Sequence, residues 1–350
     1  MLLENLNTSD RPADAAVFAL LETGNVASAI DQLEASYEVM REHSSPDERV
    51  DLLHQLAGLS FYSDVPRSKA FYEEILDITP NDFHATRRLA TIAYWQSESA
   101  IADRYFVQAS EIGAPTLEDE LDLDIRHGMA MLQEYRFDEA LDKLEAAAAV
   151  AEQSGHDELS SLAWTRIAHG HYLAGRPELS AEIYEDIMPW QEEQEYLADL
   201  ASGHCTLGRI YREADRLDEA WDAFTACLEI EEAIDRVLGV TYTIQNLAAV
   251  ELELGNLDRA EALFSRGLKL ARLHELGNSE IKCQVGLAWV NARRGHRDDA
   301  CRIIQRLEDS YGPSTTASAY SQAIRESLED IGCGFVPLGI VASAEGVVPR

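Results

Sequence analysis

Basic residues are scarce in this sequence of 350 residues. Lys and Arg total 29 against 63 Asp and Glu, which gives a formal net charge of −34 and a pI near 4.5. Binding to nucleic acid or to an anionic membrane surface needs clustered cations, so the composition excludes nucleic acid as a main partner and argues against a membrane. The few lysines among these cations leave open a second interpretation, in which the acidity is salt adaptation.

Cysteines are few, and long apolar runs are absent. The cysteines Cys205, Cys227, Cys283, Cys301 and Cys333 contain no Cys-x-x-Cys pair, so the sequence predicts neither a zinc site nor a thioredoxin-like site. An odd, scattered set indicates reduced thiols inside a cell. No apolar run reaches the ~18 residues of a membrane helix, and the acidic N-terminus is unlike a signal peptide. We therefore expect a cytoplasmic protein.

Motifs of catalysis and of nucleotide binding are also missing. The sequence has no Gly-x-Gly-x-x-Gly, Walker, Gly-x-Ser-x-Gly or His-Glu-x-x-His motif. His169 and His171 are two residues apart on a predicted helix, so their side chains point about 200° away from one another and cannot share a metal. Paired acids such as Asp218-Glu219 fall at predicted helix starts, where they interact favourably with the helix dipole. We expect no enzyme activity, no metal and no cofactor.

What the sequence does contain is an internal repeat of about 40 residues. Gly208 and Ala220, for example, recur one repeat later as Ala248 and Ala260. Each repeat holds two amphipathic stretches separated by a short Gly, Asn or Asp turn, which predicts a helix hairpin. A small anchor residue marks the second helix of eight repeats, at positions 29, 68, 102, 140, 180, 220, 260 and 300.

The residue types of the repeat indicate how the hairpins pack. Small residues on both helices allow the two backbones to approach closely, and aromatic residues such as Phe224 and Phe264 fill the gap to the next repeat. One hairpin cannot cover its own apolar face, so neighbouring hairpins must stack. The sequence therefore predicts an all-α array of hairpins.

This phased pattern resembles the tetratricopeptide repeat (TPR) family over roughly residues 11 to 310. Its 40-residue unit is most similar to kinesin light chain, the Leu-Gly-Asn repeat adaptors and the bacterial peptide-sensing regulators. The resemblance implies a right-handed superhelical solenoid of about eight helix-turn-helix repeats, whose first helices line a concave groove for a peptide or partner segment. We assign residues 1–313 to this solenoid and expect its two N-terminal repeats to be less regular.

Two segments follow the repeats. Residues 314–331 are predicted to form a capping helix on the last hairpin, as a solenoid requires. Residues 332–350 are rich in apolar residues, Gly and Pro. This tail, Gly332 to Arg350, either docks on its own solenoid or on a partner, or is frayed.

Charge is unevenly distributed between the two helices of a repeat. In the last six repeats the predicted first helices sum to +3, and the predicted second helices sum to −10. The ranges of the first helices are 83–96, 121–134, 161–174, 201–214, 241–254 and 281–294. A groove lined by the first helices would suit an acidic segment, because the contrast in local potential would orient it.

Equivalent positions of the first helices supply the candidate binding residues. Arg88, Arg126 and Arg166 share one slot, in which the resembling families carry an Asn that bonds the backbone of a bound peptide; Asn246 matches it directly. The arginines would suit bidentate recognition of carboxylates. In the alternative, these arginines pair with neighbouring acidic residues, and the candidate tryptophans Trp95 and Trp289 pack between helices. The candidate partner-binding residues are Arg88, Thr91, Trp95, Arg126, Met129, Arg166, His169, Arg209, Tyr242, Asn246, Trp289 and Arg293.

Three functional hypotheses follow. The first is a non-enzymatic scaffold or adaptor that binds a peptide or partner segment in its groove. The second is a peptide-sensing regulator whose superhelix tightens on its ligand. The third is the sensor subunit of a multi-chain protease or signalling ATPase, whose catalytic part is another chain.

Overall fold

The structure, a computed structural model, describes residues 26–41, 43–61, 64–96, 98–274 and 276–311. Within these ranges the chain forms fifteen α-helices and no β-strand, and none of the helices is long and apolar enough to cross a membrane. Their contacts divide the chain into unit 1, Met1–Glu134, and unit 2, Tyr135–Arg350. The predicted capping helix and tail lie outside the described residues.

The described part of unit 1 is a stack of six helices, each of which packs on the next one along the chain. They are α1 (Val26–Met40), α2 (Pro46–Ser60), α3 (Val65–Ile78), α4 (Phe83–Trp95), α5 (Ser99–Ile112) and α6 (Leu117–Gln133).

Unit 2 shows the same pattern, with nine helices among its described residues, again packed in chain order. They are α7 (Phe137–Ser154), α8 (Asp157–Leu173), α9 (Pro177–Glu193), α10 (Leu197–Glu213), α11 (Leu217–Ala233), α12 (Val237–Glu253), α13 (Leu257–Leu273), α14 (Gly277–Arg293) and α15 (Arg297–Tyr311). Each unit is thus an all-α helical repeat solenoid.

A short turn with one left-handed residue recurs at regular intervals along unit 2. At Gly175 the φ angle is 73°, and the N–H of Arg176 donates a hydrogen bond to the carbonyl of His171 at 2.9 Å. This is the Schellman arrangement, which satisfies the last carbonyls of a helix with backbone groups alone. Where Gly is absent, Glu195, Asp215 and Asp235 adopt the same left-handed conformation, with φ between 54° and 58°. The turn therefore sets the period of the repeat.

In unit 1, four helices begin with a side-chain cap, whereas α5 begins without one. Ser45 and Glu48 form a capping box at the start of α2, and Asp64, Asp82 and Thr116 accept N-cap hydrogen bonds at α3, α4 and α6. In unit 2, helices α7 to α14 begin without a side-chain cap. The N-terminal repeats are accordingly less regular in length and in turn structure than the later ones.

The small anchor residues of the repeat form the centre of the packing. All eight are fully buried, with 0% of their surface exposed: Ala29, Ser68, Ala102, Ala140, Ser180, Ala220, Ala260 and Ala300. A small side chain at this position lets the second helix approach its neighbours closely, and buried aromatic rings such as Phe106, Tyr184 and Phe224 pack beside it.

The helices of unit 2 are longer than the hydrophobic pattern indicated. Helix α8 begins at Asp157 rather than 161, and α10 begins at Leu197 rather than 201. The extra first turn of α8 is polar and resembles a loop in sequence, yet its acids interact favourably with the helix N-terminus, whereas the extra turn of α10 is mostly apolar and carries one acid. Because Asp157, Glu158 and Asp199 belong to these turns, the first helices are not net positive over their full length. Their net positive charge is confined to their middle and C-terminal parts, although over their full length they remain less acidic than the second helices.

Gly208 of α10 offers a direct test of close helix packing. A Cβ atom at this position would lie 2.7 Å from the ring of Phe224, which is fully buried and cannot move aside. We expect Gly208→Ala to lower the stability by about 1–3 kcal/mol, because overpacking outweighs the gain in helix propensity. The measurement is the thermal midpoint by circular dichroism.

Gly277→Ala is the matched control for this substitution. A Cβ atom at Gly277 has no neighbour within 4 Å, so the control should keep or slightly raise the midpoint. Equal midpoints for both variants would contradict the packing of α10 against α11.

Candidate ligand-binding pocket

A cavity of about 530 Å³ lies in unit 2 and is lined mainly by first helices of the repeats. The repeat period is visible in its wall, since Ser202, Tyr242 and Lys282 occupy one slot of α10, α12 and α14 in successive repeats. Arg166 with Thr206, and His169 with Arg209, are further pairs at the same spacing. Side chains that share a slot therefore line one continuous surface.

Positive charge dominates this surface. Arg166, Arg209, Arg236 and Lys282 line the cavity, whereas Glu231 is the single carboxylate among its lining residues. In a chain of formal charge −34, such a concentration of cations makes the cavity a local region of positive potential.

Arg166 and Arg209 occupy neighbouring helices on this wall. Arg166 is half-buried, and its Nε atom is buried without a hydrogen-bond partner among the described residues. The guanidinium of Arg209 lies 4.7 Å from the centre of the Tyr172 ring, a cation–π arrangement that orients it. Arginine presents several N–H groups in a fixed plane, which suits carboxylate recognition.

His169 lies one helical turn beyond Arg166 on α8 and lines the same cavity as both arginines. Burial lowers the pKa of His169 first, and the nearby charges of Arg209 and Arg166 lower it further. The imidazole is therefore neutral at physiological pH. A neutral imidazole can donate one hydrogen bond and accept another, so His169 adds hydrogen-bonding capacity to the pocket without adding charge.

Tyrosines supply aromatic surface to the cavity. The ammonium of Lys282 lies 5.4 Å from the centre of the Tyr242 ring. Tyr184 is fully buried, and its hydroxyl donates a hydrogen bond to the carbonyl of Thr165 at 3.2 Å. Burial raises the pKa of Tyr184 to about 12, so this ring stays a neutral, rigid part of the wall.

The carboxylate of Glu231 is held by an arginine of the same wall. Glu231 is buried, and the Nε of Arg236 lies 3.2 Å from its Oε2 atom. Burial raises the pKa of Glu231, and the charge of Arg236 opposes that shift. The side chain rests against Gly239 of α12, where any Cβ atom would overlap the carboxylate. Glu231 therefore neutralises one cation and leaves the cavity positive.

The predicted residues of unit 2 fall into two groups. Arg166, His169, Arg209 and Tyr242 come together in the cavity. Asn246 is only 6% exposed, and its Nδ2 donates a hydrogen bond to the Tyr242 carbonyl at 3.2 Å, within its own helix.

Two further predicted residues of unit 2 do not line this cavity. Trp289 is buried in the hydrophobic cluster that includes Phe264 and Ile304. Arg293 is exposed near the end of α14, and its charge acts on Glu253.

In unit 1 the arginines interact with groups of the fold. The Nε of Arg126 lies 2.9 Å from both carboxylate oxygens of Asp122, which also pairs with the buried Arg87. Arg88 lies over the ring of Phe61, with its guanidinium 4.6 Å from the ring centre. This arrangement corresponds to the alternative in which the arginines serve internal packing and ion pairing.

The other predicted residues of unit 1 are also engaged locally. Trp95 packs against Phe61 with ring centres 4.8 Å apart. Thr91 is buried, and its hydroxyl donates a hydrogen bond to the carbonyl of Arg87 at 3.1 Å. Met129 is half-buried on α6.

Sequence reasoning missed two of the cavity's cations. Lys282 could have been found from the period, because it lies one repeat after the predicted Tyr242. Arg236 could not, since it lies in the turn before α12, where the equivalent residues are Tyr196 and Leu276.

Comparison with known proteins supports the fold. No protein-family model matches the chain, and no curated protein matches it by sequence. Among solved structures, the apo quorum sensor NprR from B. thuringiensis is similar with a TM-score of 0.65 and 14% identity, covering 95% of this chain and 92% of that chain. A Rap protein in complex with competence and sporulation factor has a TM-score of 0.61 and 12% identity, covering 94% and 98%.

A third similar structure is the Rap conjugation gene regulator of plasmid pLS20 in complex with the Phr* peptide. Its TM-score is 0.57 at 14% identity, and the match covers 90% of this chain and 94% of that chain. These neighbours are TPR-like repeat proteins, as the sequence predicted. At such low identity the likeness shows the fold alone, and the chain has the fold of TPR-like repeat proteins.

The neutral state of His169 predicts a pH dependence of stability. In the unfolded chain an imidazole binds a proton near its ordinary pKa of 6.5, whereas folded His169 resists protonation. Its contribution to stability is therefore complete above that pH and is lost as the pH falls. Between neutral pH and about pH 5, His169→Gln should lose about 2 °C less in thermal midpoint than the wild type does.

His274→Gln, at an exposed position, is the control and should follow the wild-type pH profile. If the thermal midpoint of His169→Gln also followed the wild-type pH profile, His169 would not be buried as a neutral group.

Proposed function

We propose that this protein is a non-enzymatic peptide-binding scaffold, and that the cavity of unit 2 holds an acidic segment of its ligand. One observation carries the proposal: four cations and one carboxylate converge on a single cavity in a chain whose total charge is strongly negative. A carboxylate placed there forms charge-assisted hydrogen bonds with arginine, which are among the stronger contacts available to a protein.

The size and lining of the cavity suit a short piece of peptide. A volume of about 530 Å³ lies within the ordinary range for ligand sites of roughly 300–1,000 Å³. Hydroxyl groups of Ser202, Thr206 and Ser279 stand beside the cations and can bond peptide amides. Tyr242 adds an aromatic surface of the kind that often anchors binding interfaces.

The acidic second helices give the pocket selectivity. Helices α9 and α11 carry acidic residues along their length, including Glu182, Glu185, Asp218 and Asp222. An acidic ligand is repelled by this surface and attracted by the cavity, so it is guided to one place. The attraction is electrostatic and partly exposed, so affinity should fall as salt is added.

The comparisons favour a regulatory role within this class of scaffold. One similar protein is described as a quorum sensor, and two Rap proteins were solved with a factor or peptide bound. This likeness in fold supports the proposal that the chain is a regulator whose state changes when a peptide occupies the groove. A passive adaptor, or a sensor subunit of a multi-chain protease or ATPase, is the alternative.

Charge reversal in the pocket tests the acidic ligand. A peptide array with acidic, neutral and basic 7-residue sequences should select acidic peptides, and the best one serves as a fluorescent probe. Arg166→Glu with Arg209→Glu should weaken its binding at least tenfold, since each charged hydrogen bond contributes about 1.5–3 kcal/mol and 1.4 kcal/mol is tenfold in affinity. The measurement is fluorescence anisotropy at two salt concentrations.

Arg302→Glu is the matched control, because Arg302 lies on α15 outside the cavity and pairs with Asp299. It makes the same charge change per residue and should leave affinity within about twofold. Selection of basic peptides by the array, or equal loss in the control, would overturn the proposal.

Capture of partners separates the regulatory role from the alternatives. The full chain is immobilised in native lysate with and without the selected peptide. A regulator should bind a protein whose recovery changes severalfold when the peptide is added. Recovery of a protease or ATPase that is unaffected by peptide would favour the sensor subunit, and an unchanged partner of another kind would favour a passive adaptor.

A further inference from the structure

Two cysteine thiols meet in the wall of the pocket. Cys205 on α10 and Cys227 on α11 are joined by a hydrogen bond between their side chains. The Sγ atom of Cys227 also lies 3.2 Å from the hydroxyl oxygen of Thr243 on α12. Neither cysteine forms a disulfide in this structure.

The register of the hairpin places these thiols opposite one another. Helices α10 and α11 are antiparallel neighbours, and at Gly208 the position of a Cβ atom is 2.7 Å from the ring of Phe224. Cys205 lies one turn before Gly208, and Cys227 lies one turn after Phe224, so the same antiparallel register places the two cysteines opposite one another. A disulfide needs Cβ atoms about 3.5–4.5 Å apart, which closely packed helices can provide.

The pair is asymmetric in its access to solvent. Cys205 is partly exposed and lines the cavity, whereas Cys227 is only 1% exposed. A small oxidant that enters the cavity therefore meets Cys205 first. Cys227 is placed behind it, where it can react only with Cys205.

We propose that Cys205 and Cys227 are a redox modification site, at which a hydroperoxide converts the two thiols into a disulfide in the wall of the pocket. The sulfur of Cys205 attacks an oxygen of hydrogen peroxide, the O–O bond breaks, and a sulfenic acid and one water form. The sulfur of Cys227 then attacks the Cys205 sulfur, the S–S bond forms, and a second water leaves. Two thiols lose two protons and two electrons, and one peroxide is reduced to two waters.

The surroundings favour this chemistry. The hydrogen bond from Cys205 lowers the pKa of Cys227 against the opposing effect of burial, which favours the Cys227 thiolate that attacks the Cys205 sulfur in the second step. Arg209 and Arg236 line the same cavity and contribute positive potential.

Cys283 is the internal control, because it is buried without these features. It is 0% exposed, burial raises its pKa to about 12, and its Sγ lies 2.9 Å from the Cβ position of Gly267. Gly267 occupies the slot equivalent to Cys227 one repeat later, so Cys283 meets a glycine there instead of a second thiol.

The test uses the full-length protein treated with hydrogen peroxide, quenched, digested without reductant and analysed by mass spectrometry. The expected product is a peptide pair joined through Cys205 and Cys227, which dithiothreitol returns to free thiols. Cys283→Ser should yield the same product at the wild-type rate. In Cys205→Ser the product should be lost.

Cys227→Ala, checked by circular dichroism for an intact fold, provides the second variant. In this variant Cys205 should accumulate as sulfenic acid, trapped by dimedone, since its resolving partner is gone. Cross-links that involve other cysteines, bonds between molecules, or oxidation of Cys205 to the sulfinic acid in the wild type would overturn the proposal.

A second measurement links this site to the pocket and rests on the proposed function. The acidic peptide selected by the array should slow disulfide formation severalfold, because it covers Cys205. Disulfide formation is also measured without peptide. A failure of the two cysteines to form a disulfide can therefore be distinguished from a failure of the acidic peptide to bind. A rate unchanged by a peptide that does bind would place the peptide away from Cys205 and overturn this link.

Discussion

Close approach of neighbouring helices is the constraint on which the rest of the structure depends. Each helix is amphipathic and needs a neighbour to cover its apolar face, and the small residues at the anchor positions set how near that neighbour can come. Ala220 and Gly208 illustrate the consequence, because the ring of Phe224 fills the space that a larger side chain would take. The same spacing in each hairpin allows the helices to stack in a regular order.

The turn at the end of each helix makes this packing repeat at a regular interval along the chain. A left-handed residue at regular intervals in unit 2, satisfied by backbone hydrogen bonds, gives helices of nearly equal length. Equal helices bring residues of successive repeats to equivalent places, which is how Ser202, Tyr242 and Lys282 come to line one cavity. The pocket is therefore a product of the repeat, while its chemistry depends on which side chains occupy the shared slots.

Arginines that are equivalent in sequence have different surroundings in the two units. Arg126 is held by Asp122, one turn earlier on α6, and Arg88 stacks on Phe61. At Arg166 the residue one turn earlier is Leu162, and the side chain faces the cavity instead. The residue four positions earlier on the helix thus decides whether such an arginine forms an internal ion pair or can contact a ligand. The cysteine pair likewise depends on which residues occupy equivalent positions. Among the described residues, only the hairpin of α10 and α11 places two thiols opposite one another.

The sequence by itself determined the helical repeat, the eight anchor positions, the alternation of first and second helices and four of the residues in the cavity. These follow from local pattern, since helix periodicity, small residues and turn residues are properties of neighbours along the chain. The tertiary structure alone decided where the first helices are net positive, that Arg236 holds Glu231, that Trp289 and Asn246 are buried, and that Cys205 meets Cys227. These outcomes depend on which side chains face each other between helices. That pairing is set by the angle and distance at which helices pack, which no single helix specifies.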